Sequence, residues 1–330
     1  ASGAAITPHR REGTDSINFR RQIAYYLNYT GPILNASVDP IFKDEIKREY
    51  SKSVLFDEFI NDVDREGTTL QEFTRQNATL AKLYGVMYIV VDNVTEFGNS
   101  LADTLANRSM PYLTAVEPKS VMNFTFDDNG RLSVFTYATY LANADGTVKT
   151  HYHTWTPTSW SIKDSDGKTI GEGEHNIGRI PIVQWFGRAA RKRDILPPPE
   201  YLSIAKTNAH VYNLCSLLSQ ILYNQTFSIL TMPVDSNGLS DVTIGTDNLL
   251  AYPHDSARAP DFIAPDKGPA EVLMAQIDKL INEMYRMSGI DSVIGVQQAK
   301  SGVAKQWDFE RTNQRLSDFA VQCDNPEYYI

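Results

Sequence analysis

Two histidines one residue apart, His151 and His153 in "THYHTWT", are the pair in this chain best spaced to do chemistry. On a strand both side chains point to one face, and two imidazoles on one face can hold zinc. Zinc needs further ligands, and the neighbouring strand pattern supplies none, so the pair reads first as one face of a hairpin. His9, His175, His210 and His254 stand singly, none beside a candidate nucleophile. "GEGEHNIG", residues 171–178, is glycine-rich but lacks the lysine and the strand-to-helix setting of a phosphate loop, and it reads as a turn. Asp127 and Asp128, followed by Asn129 and Gly130, resemble the start of a calcium loop without its distal glutamate, which also leaves a hairpin turn. There is no GxSxG elbow and no kinase signature. The residues therefore predict no cofactor, no metal and no enzyme, with a metal-dependent hydrolase using His151, His153 and a distant carboxylate as the alternative.

The chain that must position these residues has 330 residues, 42% hydrophobic and 22% charged, enough for real cores and too apolar for disorder. No apolar run approaches a membrane span, and the opening "ASGAAITPHRREG" has no apolar stretch of the kind a signal peptide carries. Cys215 and Cys323 both fall in helix-like patterns, where a buried free thiol in a reducing compartment is the expectation. A net charge of -9 argues against tight nucleic-acid binding, because phosphate neutralisation supplies most non-specific affinity. It does not argue against a surface past which nucleic acid slides. Seven Asn-x-Ser/Thr sequons, at Asn28, Asn35, Asn77, Asn93, Asn107, Asn123 and Asn224, would suit a glycoprotein. Asn77 and Asn224 lie in helical patterns, which weighs against that reading.

The elements follow from periodicity. "SINFRRQIAYYLNYTGPILNASV" and "TTLQEFTRQNATLAKLYG" repeat apolar residues at helical spacing, the second through Leu70, Phe73, Leu80 and Leu83 to a stop at Gly85. "VMYIVVDNV" is a short β-branched run and predicts a buried strand. From 112 to 187 the period becomes two, cut by Asp145-Gly146 and Asp166-Gly167, which predicts an antiparallel meander. "RAARKRDILPPP" is a basic and then proline-rich joint, with a module boundary near 196. A long helix over about 200–226 carries Ile204, Asn208, Val211, Cys215, Leu218 and Leu222 in a heptad-type seam. Leu214, Leu217 and Ile221 widen its apolar surface. Residues 229–268 are punctuated by Gly238, Gly245, Pro253, Pro260 and Pro265, and a second helix runs from Pro269 to Gly289 with Leu273, Ile277, Leu280, Met284 and Met287 in its seam. "IDSVIGVQQAKSG" then leads into a third helix whose predicted seam is Phe309, Asn313, Leu316, Ala320 and Cys323.

Five segments in this order resemble the portal proteins of tailed bacteriophages. They are "NDVDREGTTLQEFTRQNATLAKLYGVMYIVVD", with its DxxGTxLxxF segment, "MPYLTAVEPKSVMNF", "GRIPIVQWFG", "PPPEYLSIAKTNAHVYNLCSLLSQILYNQTFSILTMP" and "SGVAKQWDFERTNQRLSDFA". Together they span much of residues 61–320.

The resemblance implies an α+β portal fold and a ring, typically of twelve subunits, at one capsid vertex. Double-stranded DNA passes through such a ring during packaging and ejection. Its implied partners are other copies of the chain, the terminase large subunit, head-tail adaptors and the major capsid or scaffold protein, in a virion assembled in the host cytoplasm. Carried onto this chain, residues 1–195 become a wing, 196–228 a first stem helix, 229–268 a clip and 269–290 a second stem helix. Residues 291–330 become a tunnel loop and a channel-to-wing helix. The resemblance places Val211, Leu218, Leu222, Ile277, Leu280 and Met284 in stem and subunit packing, and Asp235, Asn237, Asp241 and Asp247 in the clip. Gln297, Gln298, Lys300 and Lys305 would line the DNA channel. The family's C-terminal crown has no counterpart after "CDNPEYYI", so a short or truncated member is expected. A different structural or adhesive ring protein is the other alternative.

Overall fold

The computed structural model describes residues 6–50, 53–94, 99–143, 145–225, 229–234, 249–253, 261–263, 266–289 and 302–330. The fold is mixed α+β. In chain order its elements are α1 (Thr14–Ile23), α2 (Thr30–Val38), α3 (Val54–Asn61), α4 (Leu70–Tyr84), β1 (Val86–Asp92), α5 (Leu101–Ala106) and β2 (Tyr112–Val116). There follow β3 (Val121–Phe126), β4 (Leu132–Ala142), β5 (Val148–Trp155), β6 (Ser159–Lys163), β7 (Thr169–Glu174) and β8 (Ile182–Phe186). The chain continues with α6 (Leu202–Gln225), β9 (Ile229–Val234), β10 (Leu249–Pro253), β11 (Asp261–Ile263), α7 (Gly268–Ser288) and α8 (Gly302–Tyr329). It divides into two compact units, one made of Ala1–Gly31 with Ser203–Asp291 and the other of Pro32–Leu202 with Ser292–Ile330.

In the larger unit β1 is the centre. It pairs antiparallel with β2 on one side and β8 on the other, Tyr88 opposite both Val116 and Gln184. Its near-continuous apolar sequence has a simple cause: both faces of the strand are covered. Met87 and Ile89 face a core with Leu70, Phe73 and Ala81 of α4, Trp185, and Phe319 and Cys323 of α8. Val86, Tyr88 and Val90 face a second core with Phe135, Tyr137 and Trp155 of the other sheet. The helix that covers the first face is well delimited. Thr69 and Glu72 form a reciprocal capping box at its start, and Gly85, at φ 92°, closes it with a left-handed cap. Gly187 lies so close to this helix that a Cβ there would run into the backbone of Ala81 and Lys82.

The second sheet of this unit is the expected meander, in the order β3-β4-β5-β6-β7. Gly130, Gly146 and Gly167 take φ of 75°, 81° and 81° in its turns, which is where the Asn-Gly and Asp-Gly pairs predict them. "GEGEHNIG" departs from expectation, because its first half is strand rather than turn. Trp160 explains the glycines: a Cβ at Gly173 would sit 2.9 Å from the indole nitrogen, so the ring lies across a strand stripped of side chains on that face.

The smaller unit is built on α6. The predicted helix over 16–38 is broken here into α1 and α2, with residues 24–29 non-helical between them. The break is held by Asn208, whose Oδ1 accepts the Tyr29 N–H at 2.9 Å while its Nδ2 donates to Leu27 O at 3.1 Å. A further small sheet in the order β10-β9-β11 stands between α6 and α7 in sequence, with β9 parallel to β10 and antiparallel to β11.

Candidate functional site

The histidine pair occupies the face of β5 that the alternation predicts, with His153 opposite Tyr137 and His151 opposite Thr139 on β4. His153 stacks on Tyr137, centroids 4.9 Å apart and planes 7° from parallel, and its Nε2 lies 3.0 Å from Thr139 Oγ1. Burial pushes its pKa down and the neighbouring His151 adds to this, while Asp92 opposes it. Asp92 accepts a hydrogen bond from the Tyr112 hydroxyl at 3.0 Å, and burial together with this carboxylate pushes Tyr112 up to about 12. The arrangement is packing between two sheets, in surroundings that favour the neutral imidazole over the charged one. Among the described residues no three His, Cys, Asp or Glu side chains gather closely enough to hold a metal ion. His175 is likewise a packing residue, its Nε2 2.9 Å from Thr156 O and its ring against Trp155.

The stem residues named from the sequence differ in exposure along both helices. On α6, Ile204, Asn208, Val211 and Cys215 are buried, Leu218 is half-buried and Leu222 is exposed. On α7, Ile277 and Met284 are buried, Leu280 is half-buried and Met287 is exposed. The cover over the first part of α6 comes from the same chain: Ile6 and Ile17 pack with Tyr212, and Tyr26 meets Tyr212 edge-on at 5.8 Å. Sequence periodicity sees the seam but not the segment that fills it. Leu222 and Tyr223 at one end of α6, and Val272 and Met274 on α7, remain at 50%, 63%, 70% and 51% exposure.

One buried ion pair in this unit was not legible as a site. Arg20 is 1% exposed on α1 and reaches Glu12 at 2.6 Å and the Ser216 hydroxyl at 2.9 Å. Burial pushes the Glu12 carboxyl up, but the His9 N–H and the Arg20 guanidinium outweigh this and hold it below its ordinary value. The larger unit has a counterpart in Lys82. Its ammonium lies 2.6 Å from Glu200, over the Phe319 ring at 4.3 Å and the Tyr201 ring at 5.9 Å.

Both cysteines are free and buried, and burial pushes the Cys323 thiol up to about 12, the property of an inert core thiol. Of the sequons, Asn77 is 2% exposed and its Nδ2 donates to Phe73 O, which leaves it no room for a glycan. The predicted seam of α8 is rotated. Thr312, Phe319, Cys323 and Pro326 are buried, Asn313 is exposed, Leu316 and Ala320 are only half-buried, and the side chain of Phe309 lies outside the described residues. The clip residues Asp235, Asn237, Asp241 and Asp247, and the loop residues Gln297, Gln298 and Lys300, lie outside the described residues, as does the side chain of Lys305.

No helix among the described residues is long and apolar enough to cross a membrane. No protein-family model matches the chain, and no curated protein matches it.

Proposed function

We propose that this chain is a subunit of a tailed-phage portal: a homo-oligomeric ring at the capsid vertex that conducts double-stranded DNA and docks terminase and then tail adaptors. The observation that carries the reading is the order of elements from residue 202 onward. A 24-residue helix, a small β unit, a 21-residue helix and a 28-residue helix follow one another, and the last helix ends in the core beneath β1 and β8. That is the sequence of stem, clip, stem and channel-to-wing helix that the five resembling segments imply.

The exposed residues on the two stem helices support it. Leu222, Tyr223, Val272 and Met274 are large apolar side chains left in water by a single copy, and exposed apolar surface on long helices is what lateral packing in a ring covers. The net charge of -9 suits a conduit, since a ring of strong phosphate contacts would hold DNA rather than let it pass. An enzyme finds less support, because the one histidine pair is engaged in sheet packing.

Electron microscopy of the purified chain tests the reading. Rings with a central hole wide enough for a DNA duplex are expected. A monomer at every concentration accessible to light scattering would sink the proposal. Rings too narrow for a duplex would leave an assembly protein of another kind.

A further inference from the structure

Each sheet of the larger unit has two outer strands, β2 and β8 in the three-stranded sheet and β3 and β7 in the five-stranded one, and of these β7 and β8 differ in charge. Along the open edge of β8 runs a groove of about 570 Å³. Ile182 and Gln184, which point to one face of the strand, and Val183, which points to the other, all line it. A cavity bordered from both faces follows the edge itself, where alternate backbone N–H and C=O groups point outward. Arg179 and Lys192 flank it, both exposed, with the Lys192 ammonium 4.9 Å over the Tyr329 ring at the end of α8. β7 is the opposite in character. Glu172 and Glu174 project from it, both exposed and neither ion-paired among the described residues.

We infer that the β7 edge of one copy adds as a fourth strand to the β8 edge of the next, seated in this groove. Among the pairings that these two edges can make, charge selects this one over the two symmetric ones. Pairing β8 with β8 would put two sets of Arg179 and Lys192 in one groove, and pairing β7 with β7 would oppose four glutamates. Like charges directly across a strand pair are destabilising, whereas β7 on β8 brings opposite charges together. Strand addition supplies main-chain hydrogen bonds, and the apolar floor supplies burial. Because the two edges are different surfaces, the contact is heterologous and repeats from copy to copy, closing a ring or extending a filament according to its rotation. The inference deepens the ring reading and rests on it for closure.

The test uses the full chain with two charge-reversed variants, Glu172→Lys/Glu174→Lys and Arg179→Glu/Lys192→Glu, with association followed by analytical ultracentrifugation. All four positions are exposed, and circular dichroism checks that each variant folds. Each variant alone is expected to associate about tenfold more weakly than wild type or worse. A one-to-one mixture is expected to recover, because each variant's strand then meets the other's groove with opposite charge. Wild-type rings with both variants assembling unchanged would overturn the edge pairing while leaving the ring intact. Loss in both variants without recovery on mixing also overturns it. A monomeric wild type overturns the pairing and the ring together.

Discussion

Arg20 and Glu12 form an ion pair of 2.6 Å in which both side chains are nearly excluded from water, at 1% and 6% exposure. The guanidinium also donates to Ser216 on α6, so a single side chain ties the N-terminal segment to that helix.

Breaking this pair from one side leaves a buried charge alone, and that costs far more than the pair itself contributes. Glu12→Ala is expected to lower stability by about 3 kcal/mol in urea unfolding. The double variant Glu12→Leu/Arg20→Met is expected to recover much of the loss. Equal losses in the single and double variants would show that packing, not charge, is what matters there. The depressed Glu12 carboxyl has a pH consequence. Its contribution is present above the ordinary carboxylate pKa and is lost as pH falls through the lower folded value.

His153 makes a second pH dependence in the larger unit. Its folded pKa is depressed, so folding favours the neutral ring, and the stability it contributes is present above its ordinary value of 6.5 and is lost as pH falls below it. Thermal unfolding is expected to shift downward between about pH 7.5 and pH 5.5. His153→Phe keeps a ring on Tyr137 without a titrating group and is expected to flatten that part of the curve. An unchanged curve would assign the dependence to other groups.

Glu200 balances Lys82 at the meeting of α4, α8 and the proline-rich segment. Glu200→Gln leaves an ammonium between two rings with weaker compensation and is expected to cost about 2 kcal/mol. Lys82→Met is expected to cost less, because the apolar stem still packs and Glu200, the more exposed partner, can be hydrated. Chemical denaturation of the two variants ranks them, and the reverse order would show that the carboxylate is the group in greater need of its partner.

At Gly187 the constraint is steric. Gly187→Ala sets a methyl against the backbone of Ala81 and Lys82, which cannot rotate away, and a loss of about 1–3 kcal/mol is expected. Unchanged denaturation would mean that α4 shifts freely on the sheet.

For the proposed channel, Lys300→Glu is expected to leave ring assembly intact while reducing the DNA packaged or retained. The deficit should vary with ionic strength, since a lone charge contact at a wet surface is screened. Packaging equal to wild type at every ionic strength would remove Lys300 from the channel wall.

What the sequence determined by itself is local and periodic. The seam of α6 through Val211 and Cys215, the glycine stop at Gly85, the turns at Gly130, Gly146 and Gly167, and the inward strand at Val86–Val90 were all legible, because each depends on a few neighbours in the chain. The tertiary structure decided which neighbour fills each face. Asn208 was visible as a polar residue in an apolar seam, but only folding shows that it holds Leu27 and Tyr29 about 180 positions away, the separations being 181 and 179 residues. α8 carries apolar residues on more than one stripe, and its sequence does not choose among them. The surface formed by Trp185 and α4 admits Phe319 and Cys323 and leaves Leu316 half in water, because a helix buries the face its partner has room for.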